Sequence, residues 1–178
     1  MPRLFLAIDF PDPVLDELAD LQQPAQAGVR WISPAQMHLT VHFLGDTGLE
    51  SVKAALTGVR TRAFELNLES VGQFRCADGG TILWTGVRPT AFLKDLHSET
   101  ARALGATGFC PESRPYSPHL TLARCRRETS RPFLRAWLNR HRDFAGAAFI
   151  VDHVTLYSSL LQPAGPVYQP EQAITLYG

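Results

Sequence analysis

The sequence predicts a mixed α+β fold, and three observations carry that reading. Segments of strand and helix periodicity interleave along the chain, and several strand segments are joined only by short turns, which favours a mixed sheet over a purely parallel one. The chain has 178 residues, of which 45% are hydrophobic, enough to bury a core without disulfides or metal. It is read as one domain over residues 1–178.

The elements follow in order. Arg3 to Asp9 reads as a largely buried first strand. Asp12-Pro13 reads as an N-cap with Pro at the first helical position, opening a helix with Val14, Leu15, Leu18 and Leu21 on one face and Pro24 beyond its end. Val29 to Ile32 is a short extended piece, and His38 to Leu44 a strand ended by Gly45-Asp46. Gly48 to Arg62 is a second helix, with Leu49, Val52, Ala55, Leu56 and Val59 facing the core. Phe64 to Glu69 alternates as a half-buried strand, and Thr81 to Val87 is another, after the Asp78-Gly79-Gly80 turn. A third helix follows Pro89, carrying Phe92, Leu93, Leu96 and Leu104. After a proline-punctuated loop from Pro111 to Pro118 come a strand at His119 to Ala123 and a helix near Pro132 to Asn139. Ala147 to Leu160 holds one long strand or two short ones, and Ile174 to Tyr177 a last strand.

Charge and cysteine usage exclude several classes. Lys+Arg and Asp+Glu both number 17, whereas a nonspecific nucleic-acid coat protein is strongly basic. No run of about 18 apolar residues occurs, and Met1-Pro2-Arg3 leads into a strand rather than a signal peptide, so no membrane association is expected. Cys76, Cys110 and Cys125 are odd in number, widely spaced and form no Cys-x-x-Cys pair, which points to a reducing, cytoplasmic setting without a thiolate zinc site. A monomer is the default expectation.

Two segments look like copies of one device. Ser33-Pro34-Ala35-Gln36-Met37-His38-Leu39-Thr40-Val41 and Tyr116-Ser117-Pro118-His119-Leu120-Thr121-Leu122 are each a proline-bearing loop entering His-Leu-Thr-aliphatic. Alternate residues of a strand share a face, so His and Thr of each copy project together while the aliphatic residues enter the core. A single His-x-Thr is commonly just a half-exposed strand, and His153-Val154-Thr155-Leu156 is a third match. The first two stand apart by their shared core, their proline lead-in and their placement in opposite halves. His153 has no loop in front and reads as a structural residue in a strand interior. If the copies come from equivalent lobes, the cleft between them holds two His and two Thr in near-twofold arrangement. Phosphoryl transfer needs that set: a base for the nucleophile, an acid for the leaving oxygen, and donors for the non-bridging oxygens. Histidine suits both proton roles near neutral pH, and the chemistry requires no metal or other cofactor.

The two motifs resemble those of the two-histidine (2H) phosphoesterase superfamily, and within it the RNA 2',3'-cyclic phosphodiesterases, also called 2'-5' RNA ligases. The resemblance covers nearly the whole chain. It rests on Arg3-Leu4-Phe5-Leu6-Ala7-Ile8-Asp9, Arg30-Trp31, His38 to Gly45, Gly72-Gln73-Phe74, Leu83 to Val87, Arg114 to Arg124, and Val154 to Ser159. It implies a bilobal fold with two pseudo-twofold-related lobes, antiparallel sheets lining a central cleft and helices outside. It implies metal-independent hydrolysis of a terminal 2',3'-cyclic phosphate on RNA to a 2'-phosphate, and reverse 2'-5' joining is accessible at the same site. The catalytic set it implies is His38 as proton donor, His119 as proton acceptor, and Thr40 and Thr121. A histidine at 153 departs from this branch's pattern.

Other residues are candidates for substrate contact. Residues 1–89 carry 7 Lys+Arg against 10 Asp+Glu, and residues 90–178 carry 10 against 7, with Arg114, Arg124, Arg126, Arg127 and Arg131 around the second motif. RNA is drawn to such a cluster. Arg124 has the wrong strand parity to share a face with His119 and Thr121 unless a bulge intervenes. Phe43, Phe74 and Tyr116 are placed to stack on bases, although Phe43 shares parity with Leu39 and Val41 and is expected in the core. The competing readings are a phosphodiesterase for a small cyclic nucleotide or ADP-ribose cyclic phosphate, a noncatalytic RNA-binding module, and a histidine-ligated metal hydrolase. No His-Glu-x-x-His supports the last.

Overall fold

A computed structural model describes residues 2–163 and 165–178. The chain runs β1 (Arg3–Ile8), α1 (Asp12–Leu21), β2 (Val29–Trp31), a 3-10 turn at Pro34–Gln36, β3 (Leu39–Asp46), α2 (Leu49–Leu56), β4 (Phe64–Leu66), β5 (Leu68–Arg75) and β6 (Thr81–Val87). It continues with α3 (Ala91–Leu104), β7 (His119–Cys125), α4 (Arg131–His141), β8 (Phe149–Val151), β9 (His153–Gln162) and β10 (Gly165–Thr175).

Two four-stranded sheets carry the fold, in orders β10-β9-β1-β3 and β2-β7-β6-β5, and every pairing within them is antiparallel. β4 and β8 form a small third sheet. This is the α+β architecture expected, with one His-Leu-Thr strand in each large sheet. β1 is an almost unbroken apolar run because it lies between β9 and β3 with Leu4, Leu6 and Ile8 fully buried. α2 and α3 pack together, α3 touching β3, while α4 packs on β5. Trp137 of α4 donates its indole N–H to the Leu21 carbonyl at the end of α1, at 2.8 Å.

Several boundaries differ from the sequence reading. α1 begins at Asp12 itself, with Pro11 at the cap. α2 ends at Leu56, six residues before Arg62, although Val59 is still buried in the turn beyond. The segment read as one strand from Phe64 divides into β4 and β5, and β5 continues to Arg75. β10 starts nine residues before Ile174. Its Pro166 and Pro170 argue against a central strand, and β10 is an edge strand, where a missing N–H is tolerated.

The strand registers hold the feature that shapes the site. Opposite β1, Leu6 pairs with His42 and Ala7 with Thr40, leaving Val41 as an extra residue in β3. Opposite β6, Leu83 pairs with Ala123 and Trp84 with Thr121, leaving Leu122 as an extra residue in β7. Each motif strand thus carries a β-bulge one residue after its threonine. A bulge inserts one residue and inverts the alternation beyond it. Val41 and His42 are consecutive buried residues, as are Leu122 and Ala123.

Candidate active site

The two bulges bring Phe43 and Arg124, each five residues beyond its motif histidine, onto the same face as the His-Thr pair. Phe43 is 69% exposed, which overturns its expected place in the core. Strand parity buries Phe43 only along an unbroken strand, and the bulge at Val41 breaks β3. Arg124 is exposed likewise, through the bulge its parity required. The twofold-equivalent positions therefore carry an aromatic ring on one wall and a cation on the other.

A cleft of about 840 Å³ collects these residues. His38, Thr40, Phe43, Phe74, Tyr116, His119, Thr121 and Arg124 all line it. Tyr116 ties the two motif strands together by donating its hydroxyl to the Thr40 carbonyl at 2.9 Å. Its ring stacks on His97 at 4.1 Å, and burial raises its pKa, keeping the phenol a donor. This engagement makes Tyr116 a strut of the cleft. Arg114 and Arg124 line the cleft, whereas Arg126, Arg127 and Arg131 are not among its lining residues.

Both motif histidines are held in the same way. His38 Nδ1 lies 2.8 Å from the Gln36 carbonyl, and His119 Nδ1 lies 2.8 Å from the Ser117 carbonyl. A carbonyl only accepts, so the proton of each neutral ring belongs on Nδ1 and Nε2 is left for chemistry. The proline-bearing lead-ins explain the match, because each supplies the carbonyl two residues before its histidine. Aromatic rings wall each imidazole. Phe5 lies 4.8 Å from His38, with Tyr168 edge-on at 5.2 Å. Phe74 lies edge-on to His119 at 4.9 Å, backed by Trp84 at 6.4 Å. Gly72 makes room for that indole, since a β-carbon there would overlap the Trp84 ring.

The electrostatic settings are not twofold symmetric. Burial lowers the pKa of His38, opposed by the Gln36 carbonyl and the charge of Asp9. Asp9 follows β1 and accepts hydrogen bonds from Thr155 Oγ1 and Tyr157 OH, both at 2.7 Å. His153 begins β9 rather than sitting in a strand interior, is exposed, and is absent from the cleft lining. Its Nδ1 bonds Asp152 and its Nε2 lies 3.8 Å from Asp9. His42 is buried, its Nε2 lying 3.0 Å from both the His97 carbonyl and Thr100 Oγ1. It anchors β3 to α3.

Sequence reasoning missed Gln36, Phe5, Asp9, Arg30 and Tyr168. Gln36 was legible in hindsight as the residue two before the histidine. Tyr168 was not, because it lies on the edge strand that the prolines disguised. Among the described residues no cluster of three or more His, Cys, Asp or Glu side chains is arranged to hold a metal ion. No helix among them is long and apolar enough to cross a membrane.

Two antiparallel sheets facing one cleft, each carrying a His-Leu-Thr strand, define a two-histidine protein of the bilobal α+β class. The family model of the 2'-5' RNA ligase superfamily matches residues 10–162, and the chain belongs to that superfamily. It is 30% identical to the RNA 2',3'-cyclic phosphodiesterase of Methanocaldococcus jannaschii, over 94% of this chain and 96% of that protein. It is 29% identical to the RNA 2',3'-cyclic phosphodiesterase of Methanothermobacter thermautotrophicus, over 98% of each chain. Among solved structures, a phosphoesterase superposes with a TM-score of 0.80 at 26% identity, covering 100% of both chains.

Proposed function

We propose that this protein hydrolyses the 2',3'-cyclic phosphate at an RNA end to a 2'-phosphate. The observation that carries the reading is the matched pinning of His38 and His119, which leaves Nε2 of each free in one cleft. His119 Nε2 takes a proton from water as the water oxygen attacks phosphorus. The bond from phosphorus to the 3'-oxygen breaks, and His38 Nε2–H gives that oxygen its proton. Thr40 and Thr121 hydroxyls donate to the non-bridging oxygens, whose charge grows in the transition state. Burial lowers the His38 pKa on balance, and the acid role is assigned on the Asp9 carboxylate, which partly offsets that lowering by favouring the charged form.

Phe43 offers an exposed face for a base, Phe74 buttresses His119 and retains a partly exposed edge, and Arg124 offers a guanidinium to phosphate. The cleft lining contains four arginines and one carboxylate, Glu112, which suits an anionic strand. All three cysteines are unpaired, which supports a reducing, cytoplasmic setting. The chain is read as acting as a monomer without a cofactor.

The test is incubation with an RNA ending in a 2',3'-cyclic phosphate, in the presence of chelator, with the product isomer identified. Conversion to the 2'-phosphate is expected. An intact cyclic end, a 3'-phosphate, or loss of turnover on chelation would reject the reading.

A further inference from the structure

The cleft holds a cationic pair, Arg30 and Arg124, of which Arg30 has no part in the two-histidine chemistry. Arg30 of β2 is the register partner of Arg124 of β7. Directly opposed residues of an antiparallel pair have β-carbons about 5 Å apart, and like charges so placed destabilise the sheet. Among the described residues neither forms a salt bridge with an acid; the ion pairs there engage Lys53, Arg88, Arg102, Arg114, Arg142 and His153. Both guanidiniums also act on the phenol of Tyr168 across the cleft, favouring its ionised form against the burial that raises its pKa.

Arg30 lines the cleft and also reaches the turn at its rim. Its Nη1 lies 3.7 Å from the point a β-carbon on Gly165 would occupy, at the turn between β9 and β10. Gly165 is three residues before Tyr168, about 10 Å along the strand, and Tyr168 is the residue that edges His38. Gly165 has φ +124°, a conformation side chains rarely adopt, which disfavours any side chain at that turn beside Arg30. The guanidinium therefore stands in the cleft lining near the β9–β10 turn, on the side of the strand that brings Tyr168 to His38.

We propose that Arg30, with Tyr168 and the outer face of Arg124, binds the internucleotide phosphate on the 5' side of the terminal nucleotide. This subsite rests on the cyclic phosphodiesterase reading and narrows it: the preferred substrate is an oligonucleotide end rather than a cyclic mononucleotide. A guanidinium fork matches a phosphodiester in two-point contact, and the anion relieves the repulsion across the strand pair.

The experiment compares three substrates: a dinucleotide with a 5'-hydroxyl and a cyclic phosphate end, the same dinucleotide with a neutral methylphosphonate linkage, and a cyclic mononucleotide. For the parent, kcat/KM on the dinucleotide should exceed that on the other two by about tenfold or more, mainly through KM. Arg30→Gln should lose that advantage while staying within about twofold of the parent on the methylphosphonate and the mononucleotide. Arg30→Lys should recover part of it. The urea midpoint of Arg30→Gln should equal or exceed the parent's, because a like charge is removed. Equal losses on all three substrates would place Arg30 at the reacting phosphate or in a structural role and overturn the proposal. So would a dinucleotide rate untouched by the substitution. A parent that turns over all three equally overturns the subsite alone, whereas a parent inert on every cyclic phosphate removes the enzymatic reading and the subsite with it.

Discussion

Acid should weaken this fold most through one residue, His42. His42 sits behind the β3 bulge with 4% of its surface exposed. Its pKa is pushed down to about 4 from 6.5, first by burial and then by the neighbouring His97, against the hydrogen bond to the His97 carbonyl. The native state thus holds His42 neutral while the unfolded chain takes up a proton below pH 6.5. Between pH 6.5 and about 4 the unfolded state binds more protons, so stability falls as pH falls. At 1.36 kcal/mol per pH unit the whole window is worth about 3 kcal/mol. Above pH 6.5 the contribution is fully present. The assay is urea unfolding of the parent and His42→Ala at half-unit steps from pH 7.5 to 4.5. At neutral pH the variant should be less stable by about 2 kcal/mol, from lost packing and the lost bonds to α3. Below pH 6.5 that gap should close by about 1.4 kcal/mol per unit, because the variant no longer titrates there. Burial also lowers His97, which both proteins keep. A gap that stays constant through pH 4.5 would refute the reasoning.

Three further expectations concern the cleft. Asp9→Asn removes the carboxylate that favours protonated His38, so the His38 pKa should fall further. With His38 as the acid, the alkaline limb of the pH–rate profile moves to lower pH; movement of the acid limb instead would make His38 the base. Gly72→Ala should displace the Trp84 indole and with it the wall of His119, lowering kcat and the Tm together. A variant with parental rate and Tm would show that the indole has room to spare. Phe43→Ala should weaken RNA binding by about 1–3 kcal/mol, the worth of one stacked base, read as a rise in KM with kcat retained. An unchanged KM would leave Phe43 without a substrate role.

Much of this architecture is written in the sequence as periodicity. The His-Leu-Thr repeats were legible because two imidazoles, two hydroxyls and two proline lead-ins recur together, and the structure sets all four side chains on one cleft. Strand parity misplaced Phe43 and left Arg124 conditional on a bulge, for one reason. Val41 and Leu122 are ordinary aliphatic residues, and nothing in their identity marks a bulge; the insertion is fixed by pairing with β1 and β6, which is nonlocal. β10 was concealed by Pro166 and Pro170, whose cost depends on whether a neighbour needs their missing N–H, and that too is decided by the sheet. Arg30 is marked in the sequence only through the Arg30-Trp31 resemblance, and its standing opposite Arg124 is decided by the sheet.

The division of proton work between the two imidazoles is tested most directly by pH–rate profiles of the parent, His38→Ala and His119→Ala on one RNA with a cyclic phosphate end. The parent should give a bell, and each substitution should cost at least about 10²-fold. His119→Ala should lose the acid limb, and His38→Ala the alkaline limb. Variants that keep both limbs, or that stay within a few-fold of the parent, would contradict the account.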